Sequence, residues 1–131
     1  MKFFGITLML LLPLGLWAQQ SPQDEEKQFR QAIDTQIEEY TNLLNLEYWQ
    51  VFYLDSIMTH DYTAMRDEIQ DLSKARVSNS DVYQRVQDKW MEQMYQSFSK
   101  VFNEEQWDKY LKAGAQRDKR LRDKREAKRQ Q

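Results

Sequence analysis

The sequence predicts an all-α fold, and three observations carry that prediction. Only three glycines and two prolines occur in 131 residues, too few for the turns of a β-sandwich or barrel. Apolar residues recur at three- and four-residue steps along most of the chain. Polar capping clusters stand between those periodic stretches. The length allows one domain. There is no cysteine, so a disulfide framework, a thiolate metal site and a thiol nucleophile are all excluded.

The N-terminus reads as an export signal over residues 1–18. Lys2 supplies the positive start, Phe3 to Leu16 carries no charge, and Leu16-Trp17-Ala18 precedes a polar run. The apolar run falls short of the ~20 residues that span a bilayer, so cleavage after Ala18 is expected, with a retained anchor as the alternative. Loss of the signal would remove Gly5, Gly15 and Pro13 and leave only Gly114 and Pro22. The body is then a helical domain over residues 19–111, followed by a basic stretch over 112–131, a charged helix or a disordered tail.

Ser21-Pro22 and the acids Asp24, Glu25 and Glu26 form a helix start. Phe29, Ile33, Ile37, Tyr40 and Leu44 then mark one face of a helix over about 22–43. A second, long helix is expected from near Asn45 to about Val77. Its seam is Val51, Leu54, Met58, Tyr62, Met65, Ile69 and Leu72, within a wedge of about 80°. At ~1.5 Å per residue it would be about 48 Å long, which predicts an elongated molecule. Trp49, Phe52 and Tyr53 point away from the seam, so the start of this helix is apolar nearly all round. Two elements sandwich it, or an apolar face awaits a partner. A homodimer is expected on that ground.

Ser78-Asn79-Ser80-Asp81 is a turn and cap cluster that opens a third helix over about 81–101. Val82, Val86, Trp90, Met94, Phe98 and Val101 form its apolar face. Asn103-Glu104-Glu105-Gln106 reads as a capping box: Asn103 accepts from the N–H of Gln106, and the Gln106 side chain reaches back. The fourth helix carries Trp107, Tyr110 and Leu111, passes Gly114, and enters the basic stretch.

Two stretches resemble one another. Leu44-Asn45-Leu46-Glu47-Tyr48-Trp49 and Phe102-Asn103-Glu104-Glu105-Gln106-Trp107, 58 residues apart, share an apolar residue, Asn, Glu and Trp in the same order. A common capping device used twice accounts for this. So does a family pattern, the helix start Leu-Thr-x-x-Gln used twice in a small exported helical chain. In the second copy, Phe102 and Asn103 stand for Leu and Thr, and Gln106 is the Gln. In the first, either Leu46 and Gln50 match with Glu47 in the place of Thr, or Asn45 caps and Tyr48 replaces the Gln.

On these motifs the chain resembles the Spy/CpxP-like periplasmic proteins. The resemblance implies a periplasmic, cradle-like antiparallel dimer of helical hairpins. It also implies ATP-independent chaperoning of unfolded envelope proteins, or a regulatory or adaptor role in envelope stress.

No catalytic constellation is evident. His60 is the only histidine, so an acid–base pair would need Asp or Glu, and no metal-ligand spacing surrounds it. There is no glycine-rich phosphate loop. The expectation is a non-enzyme with no cofactor and no metal. Met58, Met65, Met91 and Met94 suit a core, and equally a surface for varied partners. The client-binding candidates are Trp49, Phe52, Met58, Met65, Trp90 and Met94.

The net charge of −2 hides a division. Residues 19–111 sum to −9 and residues 112–131 to +6. The pairs Asp118–Arg122 and Lys119–Asp123 have helical spacing. Leu121 is the only large apolar residue after Lys112, which predicts a solvated, fraying helix or an anion-seeking arm. Lys119, Arg120, Arg122, Lys124 and Arg125 are its candidates for contact with an anionic membrane surface. Export argues against nucleic acid as the partner.

Overall fold

The computed structural model describes residues 21–131; the expected signal, residues 1–18, lies outside them. The described chain is all-α, with four helical limbs, the fourth broken by a kink, and no strand among the described residues. Helix α1 spans Pro22–Leu44, α2 Tyr48–Lys74 and α3 Ser80–Val101. The last limb is α4, Glu104–Tyr110, then a π-helical turn, Leu111–Ala115, then α5, Gln116–Arg129. No described helix is long and apolar enough to cross a membrane.

The chain divides into two compact units after Ala32. Before that point lies the first part of α1, where the Ser21 hydroxyl accepts from the Asp24 N–H at 3.1 Å, the expected cap. Residues 33–131 form the second unit. Its core joins Ile33, Ile37 and Leu44 of α1, Leu54 and Met58 of α2, Val86, Met94, Phe98 and Val101 of α3, and Phe102 and Tyr110. These are mostly the residues that the three- and four-residue spacing selects.

Helices α2 and α3 form an antiparallel hairpin. Glu68, late in α2, accepts from Trp90 Nε1 at 2.9 Å, while Gln50, early in α2, reaches the carbonyl of Val101 at 3.0 Å. The final limb returns along α3. Trp107 stacks edge-on against Tyr95 with ring centres 5.0 Å apart, and Arg125 meets Asp88.

Two corrections concern helix ends. Asn45 does not open α2. It sits at φ 53°, and the Leu46 N–H returns to the Thr41 carbonyl at 3.1 Å, so Asn45 closes α1 instead. The short amide side chain of Asn tolerates this left-handed backbone, which most residues avoid. Arg76, at φ 60°, ends α2 in the same way: the Val77 N–H bonds the Leu72 carbonyl at 3.0 Å, which trims the helix to Lys74.

The basic stretch takes the first of its two expected forms, a charged helix, and that helix is docked rather than fraying. Gly114 adopts φ 134°, a backbone that side-chain-bearing residues rarely take, and breaks the limb within the π-turn. A Cβ there would meet nothing within 4 Å, so backbone conformation alone calls for glycine. Beyond the kink, α5 lies against α3, with Arg122 buried.

Candidate protein-docking surface

The site is organised from the ends of two loops. Gln50 and Gln106 are both buried, at 2% and 7% exposure. Each Oε1 accepts the N–H of its own helix-capping residue, Glu47 at 2.9 Å and Asn103 at 2.9 Å. Gln50 Nε2 donates to Gln106 Oε1 at 2.6 Å, and Gln106 Nε2 returns the bond to Gln50 Oε1 at 3.1 Å. The remaining amide hydrogens go to the carbonyls that end the preceding helices: Gln50 to Val101 at 3.0 Å, Gln106 to Leu44 at 3.4 Å. Both amides thus use two donors and two acceptors, which is their full capacity.

This arrangement selects one register for the repeat. Glu47 is the N-cap of α2 and Asn103 that of α4. The equivalent residues are Leu46, Glu47 and Gln50 with Phe102, Asn103 and Gln106, an offset of 56 residues rather than 58. Asn103 also accepts from the Gln106 N–H at 2.8 Å, which completes the expected capping box. The Glu47 carboxylate takes the indole N–H of Trp49 at 3.0 Å.

From this fixed start, the first two turns of α2 present an aromatic face to solvent. Tyr48 is 96%, Trp49 51%, Phe52 66% and Tyr53 51% exposed. Tyr53 stands edge-on to both Trp49 and Phe52, with ring centres at 6.2 and 5.6 Å. Leu43, at the end of α1, is exposed as well. Beside the aromatics, an open notch of about 430 Å³ runs between Trp49, Tyr53 and Ile57 on α2 and Ser97, Lys100 and Val101 on α3. An exposed apolar cluster of this kind marks an interaction site.

The structure separates the client-binding candidates. Trp49 and Phe52 lie on the exposed face. Met58 and Met94 do not: both are buried in the core, because they fall on the α2 and α3 faces that pack together. Met65 and Trp90 are half-buried. Trp90 is held by its bond to Glu68, by Lys89 over its ring at 5.0 Å, and by His60 edge-on at 6.2 Å. Tyr48 and Lys100, which spacing alone did not single out, belong to the surface. Tyr48 is its most exposed aromatic, and Lys100 supplies a cation at the notch.

His60 is largely exposed and its Nδ1 meets the buried Asp61 carboxylate at 2.8 Å; Gln93 donates to the same oxygen at 3.2 Å. Among the described residues, no group of three or more His, Asp or Glu is placed to hold a metal ion.

The basic candidates are also divided. Lys119 bonds Glu92 at 2.8 Å and Asp123 at 3.0 Å. Arg122 turns to Glu92 at 3.3 Å rather than to Asp118. Arg125 grips Asp88 with two bonds, at 2.9 and 2.7 Å, and Arg129 adds a third at 3.1 Å. Burial pushes both carboxyls up, but these bonds outweigh it. Arg125, Gln84 and Arg129 hold Asp88 below the ordinary carboxylate value, and Lys119, Gln96 and Arg122 do the same for Glu92. Lys119, Arg122 and Arg125 are therefore spent within the fold, whereas Arg120 and Lys124 are exposed. No protein-family model matches the chain, and no curated protein or solved structure matches it either.

Proposed function

We propose that the chain is an exported, ATP-independent chaperone-like protein of the Spy/CpxP-like kind, which holds unfolded envelope proteins in the periplasm as a homodimer. The observation that carries this reading is the aromatic face of Tyr48, Trp49, Phe52 and Tyr53, left in solvent on a rigidly capped helix. Each large apolar side chain that a client desolvates contributes roughly 1.5–3 kcal/mol, without any directional bond that would restrict sequence. The paired glutamine caps support the family resemblance, since they give the motif's Gln a structural task in both copies. No nucleotide is needed for holding of this kind, and no catalytic group takes part in it.

The test is suppression of aggregation of a chemically denatured protein without ATP. Protection at several-fold molar excess supports the reading, and no protection overturns it. The notch beside Lys100 favours a second reading, an envelope adaptor or stress regulator with one fixed partner, because a shaped recess suits one occupant. Crosslinking in cells separates the two: many unrelated clients fit the chaperone, and one dominant partner fits the adaptor.

A further inference from the structure

Helix α5 is basic on two sides, and only one of them is used. Lys119, Arg122, Arg125 and Arg129 face the acids of α3: Arg129 reaches Asp81 at 3.5 Å, and Asp88 and Glu92 take the others. At 100° per residue, Arg117, Arg120, Lys124 and Lys128 fall together on the outward side, within an arc of about 80°. All four are exposed, and none makes an ion pair with another of the described residues. The acids of the helix, Asp118, Asp123 and Glu126, lie outside that arc. The stripe from Arg117 to Lys128 is straight and about 16 Å long. The ion pairs behind it pin α5 to α3, so the backbone that carries its outward cations is already ordered.

At the edge of the stripe, on the flank toward Gln84, Gln87 and Met91 of α3, stands Leu121, 42% exposed. An anionic polymer in water would leave that side chain hydrated. A lipid surface takes both: headgroup phosphates pair with the bases, and the boundary beneath them admits one apolar side chain. We propose that the outer face of α5 docks on an anionic lipid surface through Arg117, Arg120, Lys124 and Lys128, with Leu121 at its edge. The contact is electrostatic, reversible and independent of the aromatic face of α2.

The experiment uses the mature chain and vesicles of phosphatidylglycerol with phosphatidylcholine, against vesicles of phosphatidylcholine alone, in a flotation assay. Binding is expected only to the anionic vesicles and should fall as salt is raised. Each base near the surface contributes about a fivefold gain in partitioning, so replacing all four by glutamine should reduce binding about a hundredfold or more. Circular dichroism checks that this variant keeps its helices, and Leu121→Ser should weaken binding with the charges intact. Three outcomes overturn the proposal: equal binding to both vesicle types, undiminished binding of the fourfold variant, or binding to soluble dextran sulfate with none to vesicles.

Discussion

Gln50 and Gln106 each donate an amide hydrogen to the other's carbonyl oxygen, and each also closes the first turn of its own helix. The starts of α2 and α4 are therefore one structural unit, although 56 residues separate the two glutamines along the chain. Gln50→Ala leaves Gln106, the Glu47 N–H and the Val101 carbonyl short of partners in a buried setting. The expected cost is about 1–3 kcal/mol for either single substitution, measured by urea unfolding. The double variant should cost clearly less than the sum, because the second change removes groups that the first already stranded. Additive costs would show that the two amides act separately.

The aromatic face and the methionine core should respond in opposite ways. Trp49→Ser and Phe52→Ser are expected to change stability by less than about 0.5 kcal/mol, since neither residue is buried, while abolishing protection of a denatured client. Met58→Ala and Met94→Ala should each cost about 2–5 kcal/mol and leave holding intact where the chain remains folded. Thermal melts beside the aggregation assay read both quantities. A stable Trp49→Ser variant with full protection would move the client site elsewhere.

The docking of α5 should depend on pH and salt. Asp88 and Glu92 both sit below their ordinary values of 3.8 and 4.5. A carboxylate depressed in the folded chain contributes stability that is complete above its ordinary value and is lost as the pH falls through the depressed one. Helix α5 should therefore stay docked near neutrality and release only as the pH falls below those ordinary carboxylate values. It should also loosen near 1 M salt, where the screening length drops to about 3 Å. Fluorescence transfer between dyes at Gln87→Cys and Lys128→Cys reports the separation. An unchanged signal under both conditions would mean that charge does not hold this helix.

Gly114→Ala should weaken the kink through the backbone alone. At φ 134° any side chain is strained, and the expected loss is about 1–3 kcal/mol even though the space around the position is open. Hydrogen exchange should show faster exposure of the α5 amides before those of α2 and α3. Equal stability of the variant would mean that the limb can reach α3 by another backbone path.

Much of this architecture was legible from spacing and caps. The seam residues Leu54, Met58, Val86, Met94 and Phe98 are buried, and the Asn103–Gln106 box forms with both bonds. Asn45 misled because one side chain suits two tasks, opening a helix or closing it, and only the backbone angle tells them apart. Docking of α5 was hidden for a different reason. Periodicity finds helices that bury apolar residues, and α5 buries only Arg122. Its attachment is a match between Asp81, Asp88 and Glu92 and bases some thirty to fifty positions later, which exists only once the kink has folded one helix back on the other. The aromatic face was foreseeable because Trp49, Phe52 and Tyr53 fall off the seam, though whether another helix would cover them was not.

The kink at Gly114 also sets the rotational phase of everything after it. An α-helix advances about 100° per residue, so a single residue added after Ala115 would turn α5 by that angle. Arg117, Leu121, Lys124 and Lys128 would swing toward the acids of α3, and Lys119, Arg122 and Arg129 would swing away. Because both sides of α5 are basic, composition would not register the change, and many of the charge contacts could form again with other partners. The assignment of each cation to the interior or to the surroundings therefore rests on counting from one glycine, and a shift in that count would trade the bound set for the free one.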